Sequence, residues 1–380
     1  MLGTLWHAAA PENDDKPLQR GGAVRACKQC NRGRNPWRRP LWAAWLTFDA
    51  EPAMHRPALA LLALAPLLAQ ADPAPLQRAT AARLTAEKSA ACVAAQPFCW
   101  ELGNATQPLA GGRAGDDAPE RGTQMAIASA SKWLYGAFVA ERRQGQLTSE
   151  DVKFLHFQSG YTYYHVCRRD QSVAACQQSL LNGRGRMNPA TENRFDYNGG
   201  HMQQHAVLMG LGSLGPDGLA LAVKQALSPA LGADWRFSYS QAMPAGGGVT
   251  SAADYSRFLR ALLDGSLQLG RLLGTQAVCT NPQTCPQEAV KTPIPATESW
   301  HYSLGHWVED DPQVGDGAFS SPGAFGFYPW ISADRTLYGL VAREQRHGVL
   351  GDDAAEKPAI ASVACGREIR AAWMDGQPRR

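Results

Sequence analysis

Charged side chains are scarce: Asp, Glu, Lys and Arg make up 19% of the 380 residues, and neither sign dominates. Of 37 basic and 34 acidic groups, residues 1–53 hold 8 and 5, and Arg56 adds one basic group. From Asp72 onward, 28 basic and 29 acidic groups remain, a balance of −1. No basic field is available to neutralise phosphates, which excludes nucleic acid as a partner. No apolar run reaches the roughly 20 residues that span a bilayer. Internal repeats and low-complexity tracts are absent past residue 72, and no Gly-x-Ser-x-Gly elbow of the α/β-hydrolase kind occurs. What is present is a 44% hydrophobic share, too high for a disordered chain and enough for one large or two closely packed domains.

Met54-His55-Arg56 supplies a short basic start, Pro57 to Ala69 is an uncharged apolar run, and Ala69-Gln70-Ala71 offers a small-x-small cleavage site. Residues 54–71 therefore read as a secretory signal peptide, with a mature chain from about Asp72 and a periplasmic or secreted location. Residues 1–53 hold four of the eleven Trp without periodicity and read as a non-native upstream or disordered segment, Met54 being the expected start. A genuine extension followed by a signal anchor is the alternative. Cys27 and Cys30 form a lone CxxC to which no function is assigned.

Export would place the other seven cysteines in an oxidising compartment. Three sequence-local pairs are expected: Cys92 with Cys99, Cys167 with Cys176, and Cys279 with Cys285. Each would contribute about 2 to 3 kcal/mol. Cys365 is left over and reads as a buried free thiol on the last helix.

Helical periodicity covers about 79–95, and strand-like stretches follow at Phe98–Leu102 and Thr123–Ile127. The run from Ala128 to Ala140 is apolar on nearly every face, the signature of a buried helix. Residues 201–227 and 252–264 read as mostly helical. Ala324–Ile331 and Thr336–Arg343, joined through Ala333-Asp334, suggest a hairpin, with a closing helix over 354–373.

The chemistry begins at Ser129-x-x-Lys132. A separation of three puts both side chains on one helix face, and a lysine in apolar surroundings can lose enough basicity to take the serine proton. A surface serine and lysine would show the same spacing. The motif opens the most apolar helix in the chain, however, where an unpaired lysine is costly to bury.

Further segments stand in order behind it: Gly145–Val152, Phe157-Gln158-Ser159-Gly160-Tyr161, Phe195-Asp196-Tyr197-Asn198-Gly199-Gly200-His201, Pro244–Phe258 and Ser321-Pro322-Gly323-Ala324-Phe325-Gly326. Over about residues 80–375 the chain resembles the serine β-lactamase and penicillin-binding-protein superfamily, in its class C-like branch with esterases and nylon-oligomer hydrolases. The resemblance implies an α/β (α+β) sandwich. An antiparallel sheet from 72–155 and 271–380 would be flanked by helices, with a mostly helical region, 156–270, inserted. It also implies an exported serine hydrolase acting through an acyl-enzyme on an ester or amide, the alternative being a penicillin-recognising or peptidoglycan-binding protein with little turnover. Ser129 matches the nucleophile, Lys132 its activating base and Tyr197 the proton-relaying phenol. Backbone amides of Ser129 and Ala324 would form the oxyanion hole. Asn198, Ser321 and Gly323 match substrate-binding positions. The implied partner is a small or peptide-like acyl compound, with no metal, no cofactor and a monomeric chain.

Two departures stand out. Asn198 follows Tyr197 directly instead of standing one residue further on, and Ser321 replaces the Lys or His that opens the third motif. The lost cation implies a preference for neutral esters unless another group, such as Arg184 or Arg186, supplies the charge.

Other signals carry less. Gly210-Leu211-Gly212-Ser213-Leu214-Gly215 fits GxGxxG but follows a helix, not a strand. His201 and His205 have zinc-helix spacing with Met202 where the metalloprotease Glu would stand, so packing is the expected role. Asp254 reads as a helix-start residue, and Tyr161, Tyr163 and Tyr164 as an aromatic cluster that is core or cleft wall.

Overall fold

The computed structural model describes residues 73–346 and 352–380, which belong to one compact unit, Ala69–Arg380. The expected signal peptide, the CxxC and the upstream segment lie outside the described residues. The frame is an eight-stranded antiparallel sheet of β1 Phe98–Gly103, β2 Pro108–Ala114, β3 Val278–Cys279, β4 His301–Ser303, β5 His306–Glu309, β6 Ala318–Ser320, β7 Tyr328–Ile331 and β8 Tyr338–Ala342. Its spatial order is β2-β1-β8-β7-β6-β5-β4-β3, so the first and last thirds of the sequence meet where β1 pairs with β8. Every residue of β1 and β8 is buried, as befits strands covered on both faces.

On one face lie α1 Pro75–Lys88, α2 Ala90–Ala95 and the closing helix, α5 Asp352–Asp375. Arg370 on α5, itself buried, donates to the Tyr328 hydroxyl of β7 at 3.2 Å, and Arg367 binds the buried Glu309 of β5 at 3.0 Å. On the opposite face α4, Ala252–Leu263, reaches the sheet through Arg260, which donates to the Tyr338 hydroxyl at 2.9 Å. The helix α3, Ser131–Arg142, is buried from Ser131 through Ala140, as its apolar sequence requires. Ser251 caps α4 by accepting from Asp254 N at 3.1 Å, so Asp254 is a helix-start residue as expected.

Two sequence expectations change. Cys92 pairs with Cys365, while Cys99 is free and buried; the other two pairs, Cys167 with Cys176 and Cys279 with Cys285, form as expected. The reason is the alternation of a strand. Cys99 shares its face of β1 with Glu101, whose carboxylate receives the Tyr338 hydroxyl at 2.6 Å on the α4 side. Cys92 sits on α2 on the other side, its Cα 4.4 Å from that of Cys365 on α5. Burial and the nearby Glu101 push the Cys99 thiol up to about 12, which leaves it unreactive. The hairpin strand expected from Ala324 begins instead at Tyr328, because Gly323 to Gly326 form a tight turn in which Gly326 N donates to Gly323 O at 2.8 Å.

Candidate active site

Ser129 stands at a forced corner. The strand Met125–Ala126 pairs with Gly248–Thr250, and the chain then turns through Ala128 at φ +43° into one 3-10 turn and α3. A left-handed residue with a Cβ costs about 1 to 2 kcal/mol, so neighbours must hold it there. Ser131 does much of this: its hydroxyl donates to Ala128 O at 2.6 Å and accepts from Gly248 N at 3.0 Å. Tyr255 adds a bond to Ala130 O at 2.9 Å.

One turn on, Lys132 Nζ lies 2.9 Å from Ser129 Oγ and donates to Ala245 O at 2.8 Å. Its side chain is buried, and burial pulls its basicity down from the usual lysine value to about 7. The amine also sits 4.9 Å from the centre of the Tyr197 ring.

Tyr197 follows a short strand, Phe195–Asp196, that runs parallel to Ala289–Lys291, and its N–H donates to Lys291 O at 3.0 Å. The ring stacks on Trp307, centroids 5.2 Å apart. Behind it, Ser159 Oγ donates to His201 Nδ1 at 2.7 Å and His201 Nε2 donates to Asp196 O at 3.0 Å, a tautomer assigned from these partners. Burial pushes the His201 imidazole down to about 3, so it stays neutral. The serine-glycine segment seen in the sequence thus positions the tyrosine loop. Asn198 lines the cleft, but its amide donates to Thr162 O and Tyr164 O at 3.0 and 3.3 Å while its Oδ1 accepts from Gly200 N at 2.9 Å. It ties the tyrosine loop to residues 162–164.

The third segment closes against the first. Ser321 is buried and its hydroxyl donates to Ser129 O at 3.1 Å. A Cβ at Gly323 would lie 2.2 Å from Ile127 O, so only glycine lets this turn approach the Ser129 corner. Pro322 and Ala324 consequently reach the cleft wall, whereas Ser321 does not.

The resulting cleft encloses about 570 Å³, with Ser129, Lys132 and Tyr197 on one wall and Lys291, His165 and Trp307 also facing it. None of its described lining residues is a carboxylate. Arg184 and Arg186 are exposed elsewhere, Arg186 over the Tyr163 ring at 6.0 Å. A separate cavity of about 640 Å³ over β1 and β2, lined by Cys99, Glu101, Arg113, Glu120 and Arg121, contains none of the expected catalytic or substrate-binding residues. Its carboxylates are already paired, Glu101 with Arg121 and Tyr338 and Glu120 with Arg113, and its thiol, Cys99, is held in the protonated form by burial.

No family model and no curated protein matches the sequence. Among solved structures, the chain superposes on a Bacteroides dorei protein assigned as a β-lactamase with a TM-score of 0.51 at 19% identity, over 72% of this chain and 93% of that one. It superposes on EstCE1, a hydrolase with promiscuous acyltransferase activity, with a TM-score of 0.51 at 12% identity, over 76% and 99% of the two chains. The chain has a β-lactamase-like fold.

Within this β-lactamase fold a second buried network secures α3. Asp151 accepts from Arg143 Nε and Nη2 at 2.8 and 2.9 Å and from His205 Nε2 at 3.0 Å, and His205 Nδ1 accepts from the Tyr135 hydroxyl at 3.0 Å. Although burial opposes it, hydrogen bonds from Arg143, Thr148 and His205 hold the Asp151 carboxyl well below its usual range. His201 and His205 therefore serve two distinct networks and do not converge. Among the described residues, no group of three or more His, Cys, Asp or Glu could hold a metal ion. Sequence reading missed Lys291, His165 and Trp307 as cleft residues, because each is brought there only by tertiary packing.

Proposed function

We propose that the protein is an exported serine hydrolase that cleaves an ester or amide through an acyl-enzyme on Ser129. The observation that carries this reading is Lys132: a buried amine 2.9 Å from a hydroxyl, with its basicity lowered to about 7, is neutral often enough at physiological pH to act as a base. In acylation Lys132 takes the Ser129 proton as Oγ bonds to the substrate carbonyl carbon. The tetrahedral oxyanion would lie against the N–H groups of Ser129 and Ala324, each such donor being worth about 3 to 4 kcal/mol. Collapse breaks the bond to the leaving oxygen or nitrogen, which receives a proton relayed through Tyr197. Water then attacks the acyl carbon and passes one proton through Tyr197 to Lys132, which returns it to Ser129 Oγ as the bond from Oγ to the acyl carbon breaks. Three disulfides support folding in an oxidising compartment, in keeping with export.

The base must be unprotonated, so kcat/KM is expected to fall about tenfold per pH unit below about 7 and to level off above it. A panel of p-nitrophenyl esters, nitrocefin and D-Ala-D-Ala peptides tests turnover. Ester or amide turnover with this profile is expected. A long-lived adduct with no turnover would instead describe a penicillin-recognising protein.

A further inference from the structure

We propose that Lys291 is the cation that receives an anionic group of the acyl substrate, so that the cleft favours carboxylate-bearing esters or amides over neutral ones. This rests on the hydrolase reading for the identity of the occupant, though not for the existence of the anion site. The third segment brings no positive charge, since Ser321 is turned away and bonded to Ser129 O. Lys291 restores one from a different place. Its carbonyl fixes the Tyr197 N–H at 3.0 Å, which sets the residue beside the reacting groups, while its side chain is exposed and faces the cleft.

Three observations turn a surface lysine into a ligand-directed one. Its ammonium makes no hydrogen bond or ion pair with a described residue: the Asp196 carboxyl, on the strand paired with it, feels its charge from beyond ion-pair distance and is itself pushed toward the neutral form by burial, which leaves the ammonium available to a ligand. The described lining of the cleft contains no Asp or Glu to repel an anion, and it includes His165 as a further donor. Trp307, Pro293 and Ile294 beside it give the cleft apolar wall, where a charge-assisted hydrogen bond is screened less than on open surface. The preference for neutral esters implied by the missing third-segment cation is therefore reversed.

The test needs no turnover. In the full chain carrying Ser129→Ala, dissociation constants are measured for the N-(4-nitrophenyl) monoamide of glutaric acid and for its methyl ester. The acid is expected to bind about tenfold more tightly than the ester, as one charge-assisted hydrogen bond allows. Adding Lys291→Gln should abolish that preference, Lys291→Arg should retain it, Lys291→Glu should invert it, and raised salt should weaken it. Equal binding of acid and ester, no binding of either, or a preference that survives Lys291→Gln would overturn the proposal. Ester turnover by the unaltered enzyme reports separately on the parent reading: an intact acid preference without turnover removes the hydrolase and leaves the anion site.

Discussion

Replacing Ser129 with Ala is expected to lower kcat for any hydrolysed ester by about a thousandfold or more, with the fold unchanged. Among the described residues the hydroxyl's hydrogen-bond partner is Lys132, whereas the contact that fastens this corner to Ser321 uses the Ser129 carbonyl, which alanine keeps. Ser131→Ala should behave in the opposite way. Its buried hydroxyl bonds both Ala128 O and Gly248 N and so holds the corner that presents Ser129; its loss should cost about 1 to 3 kcal/mol of stability and lower kcat far less than loss of the Ser129 hydroxyl does. Steady-state kinetics and chemical denaturation on the two variants separate these outcomes. Retained turnover in Ser129→Ala would show that another group attacks the substrate.

Removing the Cys92–Cys365 bridge by a double change to serine is expected to destabilise the protein by about 5 kcal/mol, more than removal of either local bridge. The bridge closes 273 residues and joins α2 to α5, so it restricts nearly the whole unfolded chain. Cys167 and Cys176 are separated by only 9 residues, and their loss should cost about half as much. Urea titrations of the paired variants measure the difference. Non-reducing peptide maps should show a fragment linking 92 to 365; a fragment linking 92 to 99 would contradict the pairing.

What could be read in advance divides along physical lines. Ser129 and Lys132 were legible because a helix converts a spacing of three into adjacency, and the apolar sequence around them announces burial. The hairpin and the closing helix were legible from periodicity, the hairpin's first strand starting four residues late because the turn at Gly323 is a matter of contact with Ile127 O, not of local preference. The partner of Cys92 was hidden for a related reason. Nearness along the chain favours Cys99, but the two thiols lie on opposite sides of a sheet whose existence depends on β8, over 200 residues away. Lys291 carried no motif at all. Its place in the cleft follows from the parallel pairing of Asp196 with Lys291, a contact with no signature in either segment.

The roles of Ser159 and His201 show how a sequence motif can be recognised before its mechanics are known. The serine hydroxyl orients a neutral imidazole, which in turn holds the carbonyl just ahead of Tyr197. These are positioning contacts, and they tie the turn at Ser159 to the loop that carries Tyr197.

If Lys132, its basicity lowered by burial, activates Ser129, the rate and site of covalent labelling by a fluorophosphonate measure it most directly. Peptide mass spectrometry should place the adduct on Ser129, with a labelling rate that climbs through pH about 7 and collapses in Lys132→Met. An adduct on another residue, or a rate indifferent to both pH and Lys132, would contradict the account.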